Sequence, residues 1–118
     1  MIVELIQRVY TDRVLTHLAH WNTSSYASHM ALEGFYTDVI DPLDDLVEDY
    51  QAAFGKVGKV KFQSFESEDD CLDCLKDTVK WIKSNRDGIC KKVTALENIL
   101  DEISAVYLKA IYKLENLS

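Results

Sequence analysis

The sequence predicts an all-α protein, a four-helix bundle built as a single domain over residues 1–118. Three observations carry this. Apolar residues recur at steps of three and four along most of the chain, the spacing that lines up one helix face. One proline and four glycines leave little punctuation, which favours a few long elements. A polar turn near the start and one longer connection in the middle then divide the chain into pieces of bundle length. With 118 residues, 47 % hydrophobic and 28 % charged, the chain can bury a core without disulfide staples.

The first helix runs from Ile2 to about Trp21, where Ile2, Leu5, Ile6 and Val9 begin an apolar face. Asn22-Thr23-Ser24-Ser25 is a cluster of turn and capping residues, so one helix stops and the next starts there. The second helix is expected from about Ser25 to Phe54, with Leu32, Phe35, Val39, Leu46 and Tyr50 at helical spacing. Pro42 lies inside it, removes one backbone donor and should kink it. Gly55 is a good stop.

The stretch from Gly55 to about Ser67 is the long connection, and its alternating Val57, Val60, Phe62 and Phe65 allow a short extended segment. Ser67 with Asp70 reads as a helix start, with acids in the first turn. Leu72, Leu75, Val79 and Ile82 carry the third helix, expected to end near Asn85-Arg86-Asp87-Gly88. From Ile89 through Val93, Leu96, Leu100, Ile103, Tyr107, Ala110, Ile111 and Leu114 to Leu117, a regular seam marks the last helix. A helix of about 25 residues is roughly 38 Å long, and a connection of about 12 to 14 residues reaches at most roughly 40–50 Å. The connection can therefore run the length of the bundle as a crossover, and it also suffices for a simple up-down turn.

The formal net charge is −7 and the pI about 4.8. An acidic surface argues against DNA, whose binding draws on a basic face, and favours attraction of cations. No apolar run is long enough to span a bilayer, and the N-terminus lacks a signal-peptide pattern. Three cysteines, an odd number, suit a reducing compartment, so a cytoplasmic location is expected.

The chemistry-bearing residues gather on the first two helices: His20 with Trp21 and Asn22, then His29, Glu33, Asp44 and Glu48. His29 and Glu33 are four apart, as are Asp44 and Glu48, so each pair shares a helix face. Glu33 and Asp44 differ by only about 20° around the axis, which sets all four on one stripe. Imidazole and carboxylate ligands suit iron, manganese or zinc. His29 and Asp44 stand about 22 Å apart along a straight helix, too far for one metal. The two pairs meet only if a second copy lies antiparallel, so the stripe, taken as one ligand set, predicts a two-fold homodimer with two equivalent sites.

The segments His20-Trp21-Asn22, His29-Met30-Ala31-Leu32-Glu33 and Ile40-Asp41-Pro42-Leu43-Asp44-Asp45-Leu46-Val47-Glu48 resemble the signature of the Dps mini-ferritins. The resemblance covers about residues 10–55 and implies a ferritin-like bundle. By it, His20, His29 and Glu33 of one subunit would join Asp44 and Glu48 of the two-fold mate. It implies Fe(II) binding, oxidation by peroxide or oxygen (a ferroxidase activity), and storage of ferric mineral in a higher cage. There are departures: the stretch between His20 and His29 is shorter than usual, Glu33 stands where aspartate is commoner, and no basic N-terminal tail is present. DNA binding is therefore not carried over.

Blander readings stand beside these. A lone histidine is usually a surface or hydrogen-bonded residue, and acids on a helix usually form a solvated face. His17 is expected at the surface, although it could add a ligand, and Trp21 is expected to pack beside the site. Cys71 and Cys74 form a Cys-x-x-Cys pair that, inside one helix, reads as reduced thiols. Cys90 is expected in or near the core. The Gly55–Lys59 run is too irregular for a phosphate loop and reads as linker. An alternative function, from another class, is a non-catalytic helical dimer or assembly module that keeps the fold.

Overall fold

The computed structural model describes residues 1–67 and 71–117, and its regular structure there is entirely helical. Helix α1 spans Ile2–Asn22 and closes with the Thr23 N–H donating to Ala19 O. Helix α2 spans Tyr26–Asp38, and its cap is Ser25, whose Oγ accepts from the Ser28 N–H at 3.1 Å. That bond satisfies one of the orphan donors of the first turn, which is why the polar run between the helices turns so tightly.

The expected second helix is two, with α3 at Ile40–Phe54. Pro42 offers no N–H to the Asp38 carbonyl four residues before it, so that rung of the ladder is missing and the helix is interrupted at Val39. Val39 itself stays right-handed helical, donates to Phe35 O and accepts from Leu43 at 3.3 Å. Helices α2 and α3 thus form one bent rod. Gly55 ends it with φ +100°, a value glycine tolerates without a Cβ clash.

Helix α4 spans Leu72–Cys90. Its N-cap is Cys71, not Ser67, and Asp70 lies outside the described residues. It also runs through the stop expected at Asn85–Gly88. Gly88 lies beside Met1, whose Cγ would sit 2.9 Å from a Cβ built there. The turn instead falls at Lys91 and Lys92, both left-handed with φ 51° and 63°. Helix α5 is Thr94–Asn116, so Ile89 belongs to the last turn of α4 rather than the start of α5, and Val93 is the cap of α5.

Four rods result: α1, α2 with α3, α4 and α5. Met1 beside Gly88, and Cys71 Sγ donating to Leu15 O at 3.3 Å, make α1 and α4 antiparallel. The end of α3 meets the α4–α5 turn, where Lys91 Nζ lies 3.1 Å from the Tyr50 hydroxyl. The connection after α3 must therefore return along the bundle to start α4, and it does so over α1. Gln7 Nε2 donates to Lys61 O at 2.6 Å, and Tyr10 meets the Phe62 ring edge-on at 5.9 Å. The segment is a crossover, without a strand among its described residues.

The core runs through all four rods, with Leu5, Val9, Phe35, Leu43, Leu75, Leu100 and Tyr107 fully enclosed. Each such side chain contributes about 1.5–3 kcal/mol by leaving water. Among the described residues no helix is long and apolar enough to cross a membrane.

Candidate functional site

The tight turn between α1 and α2 folds the end of one helix against the start of the next, and this brings His20 and His29 face to face. Their rings stack with centroids 3.6 Å apart and planes 22° from parallel. Each backbone holds the other's ring: His20 Nδ1 is 2.8 Å from His29 O, and His29 Nδ1 is 2.9 Å from His20 O. A carbonyl oxygen can only accept, so in both rings Nδ1 carries the proton. In the neutral imidazole the lone pair then belongs to Nε2. Metal-binding histidines are commonly held this way, with the far nitrogen fixed to a carbonyl.

His20 is buried and His29 half-buried. His17 is exposed and stacks on Tyr36 at 4.2 Å. Arg13 Nε donates to Tyr36 O, tying α1 to α2 one turn below. Burial and then the nearby Glu33 carboxylate raise the Tyr36 phenol above its ordinary value, against an opposing pull from Arg13. Glu33 itself is half-buried. Trp21, expected to pack, is 67 % exposed, and its ring lies 4.8 Å from that of His17.

Asp44 and Glu48 are exposed on α3 beside a shallow groove of about 270 Å³ that also meets Ile6, Tyr10 and Val47. Among the described residues no three His, Cys, Asp or Glu side chains of one chain are grouped to hold a metal ion. One copy thus brings His20 and His29 together and leaves Asp44 and Glu48 apart from them. Cys71 and Cys90 are buried, and burial pushes the Cys90 thiol up to about 11, which makes it a poor nucleophile.

A second polar cluster, at mid-height, is one that sequence reasoning misses. Asp12 is 5 % exposed, and its Oδ2 accepts from Thr78 Oγ1 at 2.6 Å and from the Tyr107 hydroxyl at 2.7 Å. The Tyr107 ring meets Phe35 edge-on at 4.7 Å, so one residue from each rod joins in a single layer. Burial raises the Asp12 carboxyl to about 6, against the lowering by the two hydroxyl donors and by Arg8. A signal exists: Ile2, Leu5, Val9, Asp12, Thr16 and Ala19 follow alternating steps of three and four, which puts Asp12 and Thr16 in the core stripe.

An all-helical bundle of four rods with one lengthwise crossover, and a carbonyl-anchored histidine pair at one end, is the class of protein defined here. The chain belongs to DUF5856, a family of unknown function whose profile matches residues 20–114. That span takes in His20, His29, Glu33, Asp44 and Glu48 and stops short of Asp12. No curated protein and no solved structure matches the chain.

Proposed function

We propose that this protein is a ferritin-like, Dps-like iron binder that oxidises Fe(II) at a di-iron-type site shared across a two-fold homodimer. The observation that carries the reading is the His20–His29 pair, with both Nδ1–H groups held by carbonyls and both Nε2 lone pairs left for a ligand. Lone pairs of imidazole lie in the ring plane. Two rings stacked 3.6 Å apart therefore do not converge on one ion, and each Nε2 suits a separate one. That favours a pair of irons over a single ion held by both rings, as a di-iron-type site requires.

The arrangement of the rods supports the same reading. The crossover makes α2–α3 and α4 run in the same direction, the connection found in ferritin-like bundles. Glu33 adds a carboxylate one helical turn from His29. Asp44 and Glu48 are exposed, so a mate laid antiparallel along α2–α3 can offer them to His20, His29 and Glu33. In the shared site the carboxylates would stabilise the ferric product by charge. Two Fe(II) each lose one electron, and one hydrogen peroxide with two protons takes both to give two waters. Manganese or zinc would suit the same imidazole and carboxylate set without that turnover.

The test is an anaerobic Fe(II) titration of the purified chain, then addition of peroxide, with light scattering on the same sample. Saturation at one or two irons per subunit with rapid oxidation supports the reading, and the mass reports whether a dimer or a larger cage carries it. A clean dimer without saturable binding replaces it with the second reading, a non-catalytic assembly module. That module is favoured on its side by the exposed Trp21, Tyr26 and Met30 around the α1–α2 turn.

A further inference from the structure

Beneath the crossover lies a groove of about 450 Å³, walled by α1, α4 and residues 62–65 of the connection. Phe62, Phe65 and Leu15 give it an apolar lining. Asp12 opens into it from the core. One oxygen of that carboxylate is directed inward to Thr78 and Tyr107. The other, Oδ1, has no protein donor among the described residues, although Asp12 is only 5 % exposed. It is also not a sealed, unsatisfied atom, since none occurs among the described side chains, so it faces the groove.

The natural neighbour for a buried carboxylate is a cation, and the one on the groove's described lining, Arg8, is engaged elsewhere. Arg8 places its guanidinium 4.9 Å from the centre of the Trp81 ring, and no ion pair joins it to Asp12 among the described residues. Glu4 from α1 and Asp77 from α4 face the same groove, so acids exceed the lone Arg8 on its lining. Among the described residues these acids are not grouped to hold a metal ion. An N–H donor on an organic body fits instead: the charge goes to Asp12, and the apolar part goes between the phenyl rings and Leu15.

We infer that the groove under the crossover binds a small organic cation, an ammonium on a short apolar body, with Asp12 Oδ1 as its acceptor. The site is separate from the histidine end and does not depend on iron. The ammonium needs an ionised carboxylate, so binding weakens as pH falls through about 6, where Asp12 takes up its proton. Glu4 and Asp77 on the two helices, and Tyr107 and Thr78 behind Asp12, are the other groups that face it, with Arg8 opposing.

The experiment is an amide NMR titration of the full chain at pH 7.5 with 2-phenylethylammonium, set against its neutral analogue 2-phenylethanol. The expected result is saturable shifts at residues 11–15, 62–65 and 77–78, with the amine at least tenfold tighter than the alcohol. Asp12→Asn should erase that preference, whereas Phe65→Ala should weaken both ligands several-fold and leave the preference in place. If Asp12→Asn does not fold, the wild-type ratio between amine and alcohol decides, and it should collapse between pH 7.5 and 5. Equal affinities, a preference that survives in Asp12→Asn or at pH 5, or no saturable shift at all would overturn the proposal.

Discussion

Asp12 and His20 sit about two turns apart on one face of α1, and both are buried, yet they are held in opposite ways. Asp12 is held by side chains from other rods, Thr78 on α4 and Tyr107 on α5. His20 is held by the backbone of the adjacent helix, through a bond that His29 returns. The first arrangement stitches the bundle across its middle through one carboxylate oxygen, Oδ2, and leaves Oδ1 to the groove. The second fixes ring orientation at one end and leaves ring nitrogens over for a ligand. Polar burial at mid-height is therefore expected to matter for stability, and polar burial at the turn for chemistry.

The most direct way to break that contrast is at Tyr107. Tyr107→Ala removes a fully enclosed ring and a donor to a buried carboxylate, so a loss of about 3–5 kcal/mol is expected in urea denaturation. Trp21→Ala, at the exposed end, should stay within about 0.5 kcal/mol. Comparable losses from the two would show that the end of the bundle holds the fold as strongly as its middle.

The pH dependence sharpens the same point. Asp12 has its folded pKa raised from 3.8 to about 6, so the native state favours the protonated acid. Its contribution to stability is therefore fully present below pH 3.8 and is lost as pH rises through about 6. A displacement of that size corresponds to about 3 kcal/mol. Wild type measured against Asp12→Asn should lose about that much relative stability between pH 3.5 and 7, since the amide does not titrate. A difference that stays flat across this range would mean that the carboxyl is not desolvated by its burial.

The contrast also explains what is legible in the sequence. The meeting of His20 and His29 can be read, because the two flank a short polar turn and stand out by residue type. The turn feeding it can be read because Ser25 caps in the ordinary manner. Asp12 cannot be read by type, since a lone acid on a helix is usually solvated; only its register in the apolar stripe gives it away. The α4–α5 turn is misplaced by sequence for a related reason. Gly88 has the residue type of a stop, but it lies within a continuing helix against Met1, while two ordinary lysines adopt the left-handed turn. Pro42 does signal a disturbance, and its effect is a bend at Val39, three residues before the proline, where α2 gives way to α3.

At the other end, His29→Ala should separate stability from chemistry. The substitution removes one stacked ring and the donor to His20 O, while the backbone carbonyl that holds His20 remains. A loss of about 1 kcal/mol is expected, in line with one hydrogen bond at a half-buried position. Fe(II) oxidation should fall much further than that loss of stability would explain. Oxidation at the wild-type rate in a folded His29→Ala protein would remove the histidine pair from the proposed site.

The smallest structural effect, and the most informative for the shared site, belongs to Glu48→Ala. Glu48 is exposed at the edge of the shallow α1–α3 groove, so truncation should change stability by no more than about 0.5 kcal/mol. A carboxylate that only solvates the surface could be removed without consequence for iron. A carboxylate offered to a mate could not, because among the described residues the acids and the histidines do not gather within one copy. Glu48→Ala is therefore expected to leave the denaturation curve in place while slowing peroxide-driven Fe(II) oxidation. Mixing it with a His29→Ala chain should restore part of the rate, because a heterodimer of the two rebuilds one intact site out of two. Failure of the mixture to recover activity, with subunit exchange established by mass, would count against a site divided between subunits even if each variant alone were inactive.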